Sequence, residues 1–95
     1  NTTLVAAPDG RLLANPAGSA WPATAGSGDV LSGVVGALLA AGLEPATAAA
    51  AAVHAHELAA DLAAHSGKPC GAPAPASALQ AALPDAIRSL REWQR

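Results

Sequence analysis

The apolar and polar positions at the start of the chain predict a β-hairpin. Two short runs, Thr2–Ala7 and Arg11–Asn15, flank Pro8-Asp9-Gly10, and an Asp-Gly pair between two such runs is a strong hairpin signal. The next stretch, NPAGSAWPATAG, combines turn formers with two prolines. We therefore expect a loop that crosses from the hairpin toward a helix.

A helical pattern begins after this loop. The first predicted helix begins at Ser27 or Asp29 and ends near Ala41, with Gly42 as its C-cap. Its apolar residues cover more than one face, so we expect this helix to be buried on most sides. These residues are Val30, Leu31, Val34, Val35, Leu38 and Leu39.

A second helix is predicted from Pro45 to about His65, stopping at Gly67, because proline suits the first position of a helix. Four of its polar side chains fall near one face: His54, Glu57, Asp61 and His65. This spacing is compatible with a metal site. However, an alanine-rich helix needs a solvated face, and these residues provide one, so we expect no metal there.

The last third of the chain predicts a loop and two short helices. Residues 68–75 show no periodicity, and helices are expected near Ser77–Leu83 and from Pro84 to about Trp93, with Pro84 separating them. Strands come first and helices follow. This order indicates an α/β fold, of which this chain is the end, with the remaining sheet upstream.

The composition indicates a thin hydrophobic core. Of the 95 residues, 28 are alanine and only 18 are Val, Leu or Ile, and there is no Phe, Tyr or Met. Because alanine contributes little transfer free energy, we expect the isolated chain to expose apolar surface. The missing methionine suggests a fragment of a longer protein, whose main partner is the remainder of its own domain.

Charge and cysteine content narrow the function classes. Five Lys and Arg residues are scattered and the net charge is -2, so a nucleic-acid partner is not expected. No run reaches the roughly 18 apolar residues of a membrane span. The single cysteine, Cys70, forms no internal disulfide and fits a reducing, cytoplasmic setting.

The start of the first helix, GSGD, is the strongest candidate for chemistry. The first amides of a helix have no intrahelical partner, and Gly26, Ser27 and Gly28 let them approach an anion such as a phosphate. We call these amides the anion nest. Asp29 places a carboxylate at the edge of the nest, an arrangement that suits phosphoryl transfer. In the alternative interpretation, Asp29 only caps the helix and the glycines only make a turn.

The longer string NPAGSAWPATAGSGDVLSGVVGALLAAGLEP resembles the C-terminal part of the ribokinase-like NAD(P)H-hydrate dehydratases. TTLVAAPDGRLLAN is similar to the hairpin before that motif, and AAVHAHELAADLAA and ALPDAIRSL to the segments after it. The resemblance implies that residues 1–95 form the C-terminal segment of one three-layer α/β/α ribokinase-like domain.

The resemblance also implies an activity. ADP or ATP, with Mg²⁺, would phosphorylate the hydroxyl of hydrated NADH or NADPH, and loss of phosphate would restore the cofactor. Asp29 would contact this substrate and act as the base, while Gly26, Ser27 and Gly28 would bind the phosphoryl group. Thr3 would bind the adenine nucleotide. We also expect a homo-oligomer.

The sequence departs from the family pattern at Ala17-Gly18-Ser19, at Trp21 and at Ala25. Trp21 changes the shape expected on the substrate side. His56 stands where the family also has a histidine, and the sequence assigns it no role. Two other functions remain open: a small-molecule kinase of the same fold, acting on a hydroxymethylpyrimidine or thiazole, and a non-catalytic fragment that completes a partner chain.

Overall fold

A computed structural model describes residues 2–16, 26–66 and 68–93 of the chain. It contains a two-stranded antiparallel sheet followed by three helices. The strands are β1 (Thr2–Ala6) and β2 (Leu12–Pro16), and the helices are α1 (Ser27–Ala40), α2 (Pro45–His65) and α3 (Ala76–Trp93). The predicted order of a hairpin and then helices is confirmed, and the chain is an α/β fragment.

The hairpin forms where the Asp-Gly pair predicted it. Leu4 pairs with Ala14 in the middle of the ladder, and the amide of Ala7 donates to the carbonyl of Arg11 at 2.9 Å to close the turn. Asp9 accepts from the amide of Arg11 at 3.1 Å and from its Nε at 2.8 Å. The turn is therefore held by its own side chains as well as by the backbone.

Arg11 also ties the hairpin to the start of α2. Its Nη2 donates to Oε1 of Glu44 at 2.7 Å, while Oε2 of Glu44 accepts from the amide of Thr47 at 3.1 Å. Glu44 is thus the N-cap of α2, and Pro45 follows at the first helical position as predicted. One carboxylate joins the hairpin to the helix and satisfies an end amide.

Glycine ends α1 in the way its sequence indicates. Gly42 has φ of 95°, a left-handed conformation that costs glycine little. Its amide donates to the carbonyl of Leu39 at 3.0 Å, and the amide of Leu43 donates to the carbonyl of Leu38 at 3.2 Å. This is a Schellman motif, with Gly42 one position beyond the C-cap, Ala41.

The prediction of two short helices separated by Pro84 is wrong, because α3 continues through the proline. Proline inside a helix removes one hydrogen bond and costs about 3 kcal/mol. Here Leu79 and Ala86, on either side of it, are both buried in one cluster with Ala59 and Ala60 of α2. Packing of this continuous face against α2 offsets the local cost.

The core lies along α2 and is made mostly of alanine. Nine residues of α2 are buried, and seven of them are alanines. Among the described residues, Leu79 is the largest side chain that is almost fully buried. Small side chains let neighbouring backbones approach closely, so this core is dense but has little apolar area per residue. The thin core predicted from composition is confirmed.

The prediction that α1 is buried on most sides is wrong for this chain. None of its residues is buried among the described residues, because only α2 and α3 pack against it. Leucines are exposed elsewhere too, including Leu4 at 62% and Leu12 at 63%. The apolar surface expected on the isolated chain is therefore present. Within the described ranges, the helices are too short or too polar to cross a membrane.

The Glu44 link makes a prediction about pH. Its hydrogen bond with Arg11, followed by those with Thr47, lowers the pKa of Glu44 to about 2. A lowered pKa in the folded state stabilises the protein above the unfolded pKa, and this contribution is lost as the pH falls toward about 2. We expect Glu44→Gln to lower the Tm of the full-length protein at pH 7, by an amount that shrinks between about pH 4.5 and pH 2.

Glu57 is the matched control, because burial raises the pKa of its carboxyl. Glu57→Gln should therefore show the opposite trend and become relatively more stabilising as the pH rises. Thermal melts of both variants and the wild type across this range are the measurement. A Glu44→Gln deficit that does not change with pH would contradict the assignment.

Candidate functional site

The site begins at Gly26, which is the N-cap of α1. Gly26 has φ of 87°, and a Cβ added there would lie 3.3 Å from the Cβ of Ala76. Its carbonyl accepts from the amide of Val30 at 3.3 Å. Both the conformation and the close approach of α3 favour glycine at this position.

The alternative in which Asp29 caps the helix is wrong. Gly26 occupies the N-cap, so Asp29 lies in the first turn, and no side-chain hydrogen bond caps this end among the described residues. The Asp29 residue is exposed. A negative charge in the first turn is favoured by the helix dipole, and the carboxylate is not used to close the helix end.

Gly28 differs from Gly26 because nothing in the described structure requires glycine there. It lies inside α1, and a Cβ added to it would meet no atom of the described chain within 4 Å. Glycine in a helix is less favourable than alanine by about 1 kcal/mol. The absence of a side chain leaves space beside the first turn among the described residues, as close approach of a ligand would need.

His56 is the residue at this site to which sequence reasoning gave no role. It lies on α2 with only 5% of its surface exposed, and its Nε2 lies 2.9 Å from the carbonyl oxygen of Ser27. A carbonyl only accepts, so Nε2 carries the proton and donates. The sequence signal was available: His56 falls four residues from Ala52 and from Ala60 in the buried stripe, and a polar residue there needs a partner.

A groove between α1 and α3 leads away from Asp29. Its volume is about 490 Å³, and its lining is almost entirely apolar apart from Asp29 and Gln80. The other lining residues are Val30, Gly33, Val34, Ala37, Leu38, Leu83 and Ile87. The carboxylate thus lies at the border between the polar helix end and an apolar wall.

The structure does not bring Thr3 to this site. Thr3 lies in β1, opposite Asn15 of β2, and the hairpin packs against α2 rather than α1 among the described elements. Three predicted departures from the family pattern, at Ala17-Gly18-Ser19, Trp21 and Ala25, lie outside the described residues. The described part of the candidate site therefore consists of Gly26 to Asp29 and His56.

The polar side chains of α2 do not converge on a common point among the described residues. Across the described ranges, no three His, Cys, Asp or Glu side chains converge in a way that could hold a metal ion. Nδ1 of His65 instead lies 2.9 Å from the carbonyl of Asp61 in the preceding turn, and His54 is exposed. Cys70 is exposed and free.

This glycine-opened helix end, with no side-chain cap among the described residues and a carboxylate in its first turn, is of the kind that can bind an anion such as a phosphate. The family model described as "NAD(P)H-hydrate dehydratase" of the carbohydrate kinases matches residues 1–82. The chain belongs to this family, as its resemblance predicted.

Curated relatives agree with the family assignment. The chain is similar to the "Bifunctional NAD(P)H-hydrate repair enzyme Nnr" of Mycobacterium leprae, with 65% identity over 52% of this chain and 10% of the relative. It is 52% identical to the "ADP-dependent (S)-NAD(P)H-hydrate dehydratase" of Neisseria meningitidis over 57% of this chain and 18% of that protein. An Nnr enzyme of Thermofilum pendens is 43% identical over 95% of this chain and 17% of its own length.

These matches cover less than a fifth of each of these three relatives. No solved structure matches the chain.

The two glycines make a prediction about stability. Gly26→Ala should destabilise the full-length protein by about 1–2 kcal/mol, because alanine is strained at positive φ. Gly28→Ala should be neutral or stabilising by up to about 1 kcal/mol, because alanine is the better helix former and its Cβ meets open space. Urea denaturation of the two variants measures the difference. Equal losses at both positions would contradict this division of roles.

Proposed function

We propose that residues 1–95 form part of one ribokinase-like dehydratase domain, which uses an adenine nucleotide to dehydrate hydrated NADH or NADPH. The observation that carries the proposal is Gly28, a glycine that neither backbone conformation nor packing of the described residues requires. A ligand that approaches the first turn of α1 accounts for it. Membership of the dehydratase family supports a phosphate as that ligand.

The amides of Gly26, Ser27 and Gly28 would bind the phosphoryl group during its transfer. They lie at the positive end of the dipole of α1, where charge on the phosphoryl oxygens is stabilised. The substrate hydroxyl oxygen would bond to phosphorus as the bond from phosphorus to the nucleotide breaks. Loss of phosphate from the product would then restore the nicotinamide ring.

Asp29 would take the proton of the attacking hydroxyl. Its carboxylate is exposed and adjacent to the nest, as a general base must be to reach a substrate above the helix end. The apolar groove that begins at Asp29 would be covered by the remainder of the domain. Such a cover would exclude water from the reacting groups.

The name of the Neisseria relative supports ADP as the nucleotide, with AMP as the leaving group in that case. Thr3 stays a nucleotide-binding prediction. Mg²⁺ also stays a prediction, and because the described residues hold no metal-binding cluster, we assign none of them to it. A homo-oligomer, and the cytoplasmic location expected from the single cysteine, also stay predictions.

A first test concerns binding. Gly28→Val places a branched side chain where the phosphate would approach, so we expect ADP affinity to fall at least about 10-fold, which is a loss of about 1.4 kcal/mol. Gly36→Val is the matched control, because a Cβ at Gly36 also meets no atom of the described chain within 4 Å. Calorimetric titration of both full-length variants with ADP and ATP is the measurement. An unchanged affinity in Gly28→Val would mean that Gly28 does not face the nucleotide.

A second test separates an enzyme from a scaffold. Asp29→Asn keeps the size of the side chain but removes the base, so turnover of hydrated NADH should fall by about 10²–10⁴-fold. Recovery of NADH absorbance, followed in parallel for the mutant and the full-length wild type, measures this. Asp85→Asn, an exposed aspartate on α3 paired with Arg88, should keep the wild-type rate.

Near-wild-type turnover in Asp29→Asn would show that Asp29 is not the general base. Release of a phosphorylated product by the wild type, without recovery of NADH, would instead identify a small-molecule kinase.

A further inference from the structure

We infer that His56 is a positioning residue that sets the direction of the Gly28 amide through the carbonyl of Ser27. The inference rests on the proposed function for its catalytic consequence, but the structural link stands on its own geometry. His56 belongs to α2, its side chain is almost fully buried, and its Nε2 is 2.9 Å from the Ser27 oxygen. It contacts the first turn of α1 from within the packed interface of α2.

Peptide geometry explains how a hydrogen bond to the Ser27 carbonyl affects the direction of the Gly28 N–H. The Ser27 carbonyl and the Gly28 N–H belong to the same planar peptide unit, in which the two bonds point in opposite directions. In α1 the carbonyl points along the helix, so the N–H points out of its N-terminus. A donor on the Ser27 oxygen therefore adds a second restraint to a plane that the helix already sets, and with it to the direction of the Gly28 N–H.

The bond also makes Gly28 a better donor. A hydrogen bond to the oxygen of a peptide polarises the whole unit, and hydrogen bonds in such a chain strengthen one another. The imidazole, the peptide and a bound anion would form one such chain. Because Gly28 has no side chain and open space above it, its N–H is the one that such a chain would present to a ligand.

Satisfying the carbonyl does not explain the histidine. In a helix, the Ser27 oxygen already accepts from the amide four residues later, and an oxygen has a second lone pair for the imidazole. A leucine at position 56 would extend the apolar stripe of α2 without leaving that oxygen unpaired. The remaining alternative is that His56 only packs, and the experiment below separates it from positioning.

The first readout is spectroscopic and does not need activity. In the full-length protein, carbonyl-¹³C serine combined with ¹⁵N glycine labels Ser-Gly peptides, among them Ser27-Gly28 and Ser32-Gly33. The first of these is assigned by its loss in Gly28→Ala. We expect His56→Leu to move the Ser27 carbonyl and Gly28 amide shifts, while Ser32-Gly33, which lies further along α1, stays in place.

Two further variants provide the controls. His56→Gln keeps an N–H donor close to the position of Nε2 and should restore most of both shifts. His54→Leu changes an exposed histidine on the same helix and should leave both peptides unmoved. If the Ser27-Gly28 shifts stay unchanged in His56→Leu, the inference is overturned.

Kinetics then test the consequence. Because an oriented donor stabilises the charge that develops on the phosphoryl group, His56→Leu should lower kcat about 10-fold or more while the KM for ADP changes less than about 3-fold. His56→Gln should recover kcat to within about 3-fold of wild type. A packing role would lower the Tm in both variants without this split, and such a result would overturn the inference.

The proposed function fails separately from this inference. If the wild-type protein does not dehydrate hydrated NADH, the proposed function is wrong, and the Ser27-Gly28 shifts in His56→Leu still decide whether His56 orients Gly28.

Discussion

Close packing on α2 is the interaction on which the rest of the structure depends. Each of the other four elements contacts this helix, so α2 is enclosed on most of its length and needs small side chains around it. Alanine meets this requirement, because it is both the best helix former and the smallest residue with a Cβ. A helix made of larger residues would hold its neighbours further away, and the hairpin, α1 and α3 would then lose their common support.

The candidate site depends on this packing as well. Its groups come from three helices: the first turn of α1 supplies Gly28 and Asp29, α2 supplies His56, and α3 brings Ala76 against Gly26. A shift of α1 along α2 by a fraction of an ångström would break the 2.9 Å contact with Ser27, since hydrogen bonds weaken beyond about 3.2 Å. The proposed anion ligands are amides of the first turn, and the packing of α1 on α2 and α3 holds the helix end that carries them.

Local signals in the sequence predicted the parts of the fold that local chemistry controls. The Asp9-Gly10 turn, Pro45 and Gly42 act within a few residues, and each marks an element end where the structure has one. The errors arose where distant contacts decide the result. Pro84 is tolerated because α2 packs on both sides of it, and α1 is exposed because only α2 and α3 pack against it among the described elements.

At the site, the sequence predicted an anion nest at Gly26, Ser27 and Gly28 with Asp29 at its edge. It left His56 unassigned, because the partner of His56 does not follow from spacing along one helix. His56 acts 29 residues away from its partner along the chain, and no pattern within α2 names that partner.

The alanine interface also determines how this segment tolerates mutation. In an ordinary core, most damaging substitutions remove volume and leave cavities, but alanine has almost no volume to lose. Nearly every change at Ala52, Ala59 or Ala86, each with no exposed surface, must add atoms to a space that is already full, and such overpacking costs about 1–3 kcal/mol. Substitutions to larger side chains are therefore the ones that this face excludes. We expect variants that survive there to exchange alanine for glycine or serine before valine.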